Sequence, residues 1–491
     1  MTALLAPLPL LLVIGLLATG RASALGAGSA GLLATLGVVA TVGVPGGGMP
    51  GGGISGGGAS GALALLSAEA PAGLWLAWPV IAIIIAGMFF HRAVSVRQAG
   101  TAASTRAVTA PRLWSLCFLL APFAESVTGF GVGYVIALAA LRGLGIVGMP
   151  ALLLGLFSQS LVPWGALAVG TTVGAALAGM TPAELGWRTA IVQAPIHALY
   201  LLLYWRYARA AGVTVSRAQR IDDAAWTAAL LALIAIANRV ADPEIAAAAP
   251  CALLLALRHW RDDRPSAAQW RAVAQSAAPY AALVLALCLT RLVAPLREAL
   301  LQIAPWAPLA GKPAFAPLYA PGFWVIAIGT IVALRSATPL GRLAAETARA
   351  AWRPCAVTAV FLLMAQLYQA AGLAEALAGA LQALARDAAL YAVPPMAAVG
   401  GFLTGSAAAA SAMLMPMEIA LARAMGLDPG WMAAVQNAVS ANLSMLSPIR
   451  VSMGVAVAGL AIGEAALYRK AWPLALPPLL GGLAAITLMA A

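Results

Sequence analysis

The sequence predicts an all-α, polytopic membrane protein with about twelve to fourteen membrane segments. Three observations carry that expectation. Of the 491 residues, 63% are hydrophobic and only 9% are charged, with a mean hydropathy of +0.93. Apolar runs long enough for the ~20 residues a helical span needs recur along the whole chain. The hydrophobic residues are rich in alanine and leucine, which favour helices, and the short apolar/polar alternation of a membrane β-barrel is absent.

The formal charge of +12 is not the footprint of nucleic-acid binding. The basic residues lie in short clusters between apolar runs, as the positive-inside rule expects of cytoplasmic loops. The four cysteines, Cys117, Cys251, Cys288 and Cys355, are widely spaced in or beside apolar runs and form no metal spacing. No metal site and no cofactor is expected, and no soluble stretch is long enough to fold separately.

In order, Ala3–Thr19 and Ala30–Val44 predict two spans, the first a signal anchor rather than a cleaved peptide. Gly46–Gly61 holds ten glycines in sixteen residues and predicts a flexible non-cytoplasmic linker. A span within Ala62–Phe90 leads to a basic loop with Arg92, Arg97, Arg106 and Arg112. Leu113–Leu141, Ile146–Met180 and Trp187–Trp205 follow, then Arg206–Arg220 as a second basic loop. A helical pair, Ala224–Ala237 and Ala246–Leu257, turns at Asp242-Pro243-Glu244. Arg258–Arg271 is a third basic loop, Ala277–Val293 crosses outward, and Pro295–Pro321 predicts an external loop or surface helix. Phe323–Leu334 crosses back to a fourth basic loop, Arg335–Arg353. Spans at Cys355–Leu377, Tyr391–Met415, Trp431 onward, Val451–Leu467 and Trp472–Ala491 complete the chain. The domains expected are 1–61 (first spans and linker), 62–257 (first transport half), 258–353 (central spans) and 354–491 (second transport half).

Glu125 is the only charge between Leu113 and Leu141. A carboxylate at that depth costs about 2.5 kcal/mol or more, so it is kept where it faces a cavity, a partner or an ion. Three residues on, Thr128-Gly129-Phe130-Gly131 is poor helix. A second break follows at Ser158-Gln159-Ser160 and Pro163. The second half repeats the theme at Gly400–Gly405, with Thr404-Gly405, and again at Asn442–Pro448, with Ser444 and Ser447. Paired interruptions in two halves are the mark of a broken-helix carrier with an inverted repeat.

Glu125-Ser-Val-Thr-Gly-Phe-Gly131, together with Phe402-Leu-Thr-Gly-Ser406 and Leu446-Ser-Pro448, resembles the L-lactate permease family over roughly Leu113–Arg469. The resemblance implies a proton-coupled symporter of lactate or glycolate, multi-pass in a bacterial inner membrane. The chain departs from the family's pattern in three places. It has Ser-Val-Thr for Gly-Ala-Ala after the glutamate, and alanines at 407–410 where the family is polar. It also has Ser444 at the family's lysine position, with Ile449 for its glutamine and a new cation at Arg450.

Glu125 is the expected proton carrier, because an anion bound nearby favours the protonated form of a carboxylate and so couples the two. Arg450, the only charge between Asp428 and Glu464, is the expected carboxylate clamp. Thr128, Gly129, Phe130, Gly131, Thr404, Gly405 and Ser406 are expected to form helix tips whose N–H groups and hydroxyls meet the substrate. Gln159, Ser160, Asn442, Ser444 and Ser447 are expected to line the cavity. His197 reads mainly as a packing residue, and Glu418 and Glu464 read as interfacial. Partners are thus a small organic anion, a proton and the bilayer, with homo-oligomerisation left open. The alternatives are a carrier of another organic anion coupled to sodium, or a membrane-embedded enzyme or assembly subunit. The last has no metal spacing, Gly-x-Ser-x-Gly or paired intramembrane acids to support it.

Overall fold

A computed structural model describes residues 2–43, 58–98, 108–129, 131–309, 314–336, 338–458 and 463–490. Apart from one isolated antiparallel bridge, between Trp306 and Phe315, the regular structure described is helical. By length and composition, seven of the described helices can cross a membrane, or eight when the pair 148–159 and 162–178, bent by 53°, counts as one broken span. The other expected segments are shorter helices that meet at breaks. The protein is a multi-pass α-helical membrane protein.

Several boundaries differ from expectation for local reasons. Pro7 ends a first turn, and the helix proper is Leu8–Ala18, followed by Ala24–Val42 capped by Ser23. The next helix is one 40-residue rod, Ala59–Gln98, which carries Pro71 and Pro79 inside it. It therefore takes in Ala59 to Gly61 of the glycine-rich segment and the start of the first basic loop; residues 44–57 and Arg106 lie outside the described residues. Val451–Leu467 is not one helix. Pro448–Ala458 belongs to the preceding break, and Glu464–Ala471 begins anew after Gly463.

The basic loops converge on one end of the molecule. Arg92 pairs with Glu346, Arg112 with Asp263 and Arg258 with Asp222, and the Tyr207 hydroxyl donates to the Lys470 carbonyl. These contacts join the four basic loops and the cationic pair Arg469-Lys470 and agree with one orientation for them. Near the middle of the 59–98 rod, Trp75 and Trp78 pack edge-on against Trp306, with ring centroids 5.1 and 6.0 Å away.

Within this scaffold sit four broken elements. In the first half, Ala121–Thr128 gives way to Val132–Gly143. Gly148–Gly155 passes through two short 3-10 turns into Gly165–Ala178. In the second half, Val393–Thr404 gives way to Ala407–Ala424, and Pro429–Leu443 passes through a 3-10 turn into Pro448–Ala458. The halves interlock reciprocally. Helix 165–178 packs on helix 407–424, so closely that a Cβ on Gly170 would lie 2.7 Å from the Ala407 Cβ. Helix 448–458 packs on helix 132–143, where a Cβ on Gly454 would lie 2.4 Å from the Tyr134 ring. In each case the second break of one half lies on the helix that follows the first break of the other.

Candidate functional site

The first tip is built by glycine. Helix 121–128 ends when Gly129 takes φ 66°, and the chain turns again at Gly131 with φ 82°, conformations that cost a side chain roughly 1–2 kcal/mol. A Cβ on Gly129 would lie 2.5 Å from the Ala166 Cβ, so this tip rests directly on the second break of its own half. The second tip repeats the arrangement. Gly405 has φ 64°, and a Cβ there would lie 2.9 Å from the Ser447 hydroxyl. Phe130 lies outside the described residues.

Glu125 sits where the two halves meet and is 2% exposed. One carboxylate oxygen accepts the Gly131 N–H at 3.0 Å, and the other accepts the Gly133 N–H at 2.9 Å. These donors open helix 132–143, whose positive end favours an anion. The side chain fits only because residue 133 is glycine, since a Cβ there would meet the Ala121 carbonyl at 2.5 Å and the Glu125 Cβ at 2.7 Å. In this conformation Glu125 itself occupies the anion cradle that the sequence assigns to substrate.

Arg450 reaches Glu125 from the other half. One guanidinium nitrogen is 3.7 Å from a Glu125 oxygen, and another donates to the Ser444 hydroxyl at 2.6 Å. The guanidinium is nearly buried, at 8% exposure for the residue. Ser444 in turn donates to the Ala441 carbonyl at 2.6 Å. Glu125, Arg450 and Ser444 thus come together as one buried cluster, with Gly131 and Gly133 completing it.

The hydroxyls at the tips face inward on their own backbone. Thr128 Oγ1 donates to the Ala124 carbonyl at 2.6 Å. Thr404 Oγ1 is 2.8 Å from the Gly400 carbonyl, 3.0 Å from the Ser406 carbonyl and accepts the Ser406 N–H. Ser406 caps helix 407–424 by accepting the Ala409 N–H at 3.3 Å. Ser447 Oγ is buried with no hydrogen-bond partner among the described residues, opposite Gly405. The alanines at 407–410 are all buried and leave that helix N-terminus apolar around its first-turn N–H groups.

Gln159, whose amide donates to the neighbouring Ser158 hydroxyl at 3.0 Å, stands apart from this cluster, and Ser160 and Asn442 belong to a buried amide network. Its centre is Gln193, which sequence reasoning missed. Gln193 donates to the Ser160 carbonyl at 3.0 Å and lies 3.1 Å from His197 Nδ1. It also exchanges hydrogen bonds with Asn442 at 2.9 and 3.2 Å. This pair fastens helix 182–210 to helix 429–443 two residues before the Ser444 break. Asn437 likewise donates to Thr171 and Thr189. The signal available in the sequence was polar residues isolated in apolar runs, Gln193 with His197 four residues on and Gln436-Asn437 with Ser440. Glu418 corrects an expectation: it is 0% exposed, and neither carboxylate oxygen has a partner among the described residues. It is a core residue and not an interfacial one.

Another feature lies outside the sequence's reach. Ala166, Leu167 and Ala168 all take positive φ, at 39°, 55° and 66°. Three successive left-handed residues with side chains are strained, and such strain is characteristic of switching and binding elements. The turn borders Gly129 and begins next to Gly165, where a Cβ would lie 4.0 Å from the Glu125 Cγ.

Broken helices crossing between two halves, with a buried carboxylate and guanidinium at the crossing, define the architecture of a membrane carrier. Comparison with known proteins adds a family match over part of the chain. The family model described as L-lactate permease matches residues 268–482, which takes in Thr404–Ser406, Ser444–Ser447 and Arg450. The motif resemblance therefore holds through the second half, and the chain is a membrane transporter rather than an enzyme. No curated protein matches it. Among solved structures, the YdaH transporter of Alcanivorax borkumensis is 16% identical over 98% of both chains with a TM-score of 0.47, too distant to bear on fold or function.

Proposed function

We propose that the protein is a secondary carrier that takes up a small monocarboxylate, such as L-lactate or glycolate, together with a proton. One observation carries this reading: the Glu125 carboxylate fills an anion cradle made by two backbone N–H groups and faces Arg450. An ionised Glu125 competes with a substrate carboxylate for the same donors. A protonated Glu125 accepts more weakly, because hydrogen bonds to charged groups are about twice as strong as neutral ones. Proton binding thus frees Arg450 and the N–H groups of Gly131 and Gly133, and the substrate carboxylate takes the vacated charge. Deprotonation reverses the exchange and expels the anion.

The second tip supplies the remainder of the site. Thr404, Gly405, Ser406 and the unpartnered Ser447 hydroxyl border the break that carries Arg450, and they face the hydroxy-acid end of the substrate. Thr128 and Gly129 shape the opposite wall. The reciprocal packing of the halves supports an inverted repeat that moves by rocking at these breaks, with the left-handed turn at Ala166–Ala168 as a hinge.

Uptake by purified protein in proteoliposomes tests the reading. Labelled L-lactate and glycolate should accumulate under an inward proton gradient and not under a sodium gradient alone. Accumulation driven by sodium, or a preference for a larger organic anion, would replace the coupling ion or the cargo.

A further inference from the structure

Two adjoining cavities lie between the central site and the basic end of the molecule. A cavity of about 340 Å³ is lined by Met88, His91, Arg92 and Ser95 of the 59–98 rod and by Thr128 and Val132. Its inner wall is therefore the first tip itself. The rod comes close because residue 87 is glycine: a Cβ there would sit 3.3 Å from the Thr128 carbonyl. A neighbouring cavity of about 430 Å³ shares Arg92 and Ser95 and adds Ser336, Thr338, Arg342 and Glu346. Together they lead from Thr128 to the surface at Arg342, whose side chain is 76% exposed.

The outer cavity has the chemistry of a carboxylate site. It lies at the start of the 31-residue helix Leu340–Ala370, where first-turn N–H groups lack intrahelical acceptors. Arg92 and Arg342 flank it, and the Thr338 hydroxyl beside it is buried with no hydrogen-bond partner among the described residues. A carboxylate already stands there. Glu346 is 3.4 Å from Arg92 through one oxygen and 2.9 Å from Arg342 through the other. As at Glu125, a side chain of the protein holds a place that an incoming anion can take.

We propose that this vestibule is a second, weaker binding site for the transported carboxylate, with Arg92 as its main contact and Glu346 as the competing occupant. The inference rests on the carrier reading above. In outline, the anion leaving the central site passes Thr128, displaces Glu346 from Arg92, and exits along Arg342.

Two measurements on the full-length protein test it. The first compares L-lactate KM from each face of oriented vesicles. Arg92→Gln should raise KM about tenfold from the basic face, the effect of losing one contact of ~1.4 kcal/mol, and leave the opposite face within about twofold. Glu346→Gln should lower KM on the basic face. Equal changes on both faces, or none, overturn the proposal. The second is independent of transport. With Cys288 and Cys355 replaced by serine, Ser95→Cys is modified by an anionic thiol reagent, and L-lactate should slow the reaction. That protection should vanish with Arg92→Gln and persist with Arg450→Lys, which cripples the central site. Lactate without effect when Arg92 is intact, or protection that disappears with Arg450→Lys, overturns the vestibule. Protection with no proton-driven uptake by the wild type would instead fault the carrier reading and leave the vestibule standing.

Discussion

The Glu125 carboxylate and the Arg450 guanidinium face each other at 3.7 Å across the junction of the two halves. That is too long for a hydrogen bond and close enough for strong attraction in a low-dielectric interior. Each group instead bonds elsewhere, Glu125 to two backbone N–H groups and Arg450 to Ser444. The pair is thus held near one another without being locked, as an exchangeable clamp requires.

Arg450→Gln should abolish most transport. Removing one partner of a buried charged pair costs about 2–5 kcal/mol, or at least ~30-fold in apparent affinity. Arg450→Lys should also be impaired, because an ammonium does not reproduce the guanidinium's fork. The double variant Glu125→Gln/Arg450→Gln should unfold at a higher temperature than Arg450→Gln alone, since it leaves no unpaired buried charge. Equal melting temperatures in detergent would contradict this.

Gly133→Ala should be costly although the change adds one methyl group. The new Cβ meets the Ala121 carbonyl and the Glu125 side chain, and overpacking of this kind costs about 1–3 kcal/mol. Loss of transport with a lowered melting temperature is the expected outcome. The control Gly341→Ala, where a Cβ meets nothing within 4 Å, should leave both unchanged.

The Gln193–Asn442 pair predicts a coupling between halves. Asn442→Ala and Gln193→Ala each strand a buried amide and should destabilise by roughly 1–3 kcal/mol. Because the two amides bond each other, the double variant should lose less than the sum of the single effects. Additive melting shifts would show that the pair does not act as a unit.

At the basic end, burial pushes the Asp263 carboxyl up, but hydrogen bonds from Arg112 and His259 outweigh it and hold the group below its usual value. A depressed carboxyl contributes stability above its unfolded value of ~3.9, and that stability is lost as pH falls through the folded value. Melting scans from pH 6 to 3 should therefore show an acid-side loss that is smaller in Asp263→Asn. An identical acid limb in both proteins would remove Asp263 from that response.

Much of this site was legible in the sequence because charge is costly in a bilayer. Glu125 and Arg450 stood out as single charges in apolar runs, and the Thr-Gly breaks located both tips. What the sequence concealed was occupancy. Nothing in the order of residues shows that the Gly131 and Gly133 N–H groups already hold Glu125, because that depends on a backbone turn and on space left by a missing Cβ. The left-handed turn at Ala166–Ala168 was equally hidden, since alanine and leucine carry no local signal for positive φ. The buried network around Gln193 escaped because each polar residue, taken alone, reads as one satisfied side chain. The contact of Arg92 with Glu346, 254 residues apart in the chain, is set by tertiary packing alone.

The most direct test of the central claim is proton-driven L-lactate uptake by Glu125→Gln in proteoliposomes, measured beside lactate exchange at equal pH on both sides. Glutamine mimics the protonated carboxyl, so Arg450 and the tip N–H groups stay open to substrate. The account predicts that exchange persists with little pH dependence while accumulation driven by the proton gradient is lost. Accumulation with the wild-type dependence on the gradient would contradict it.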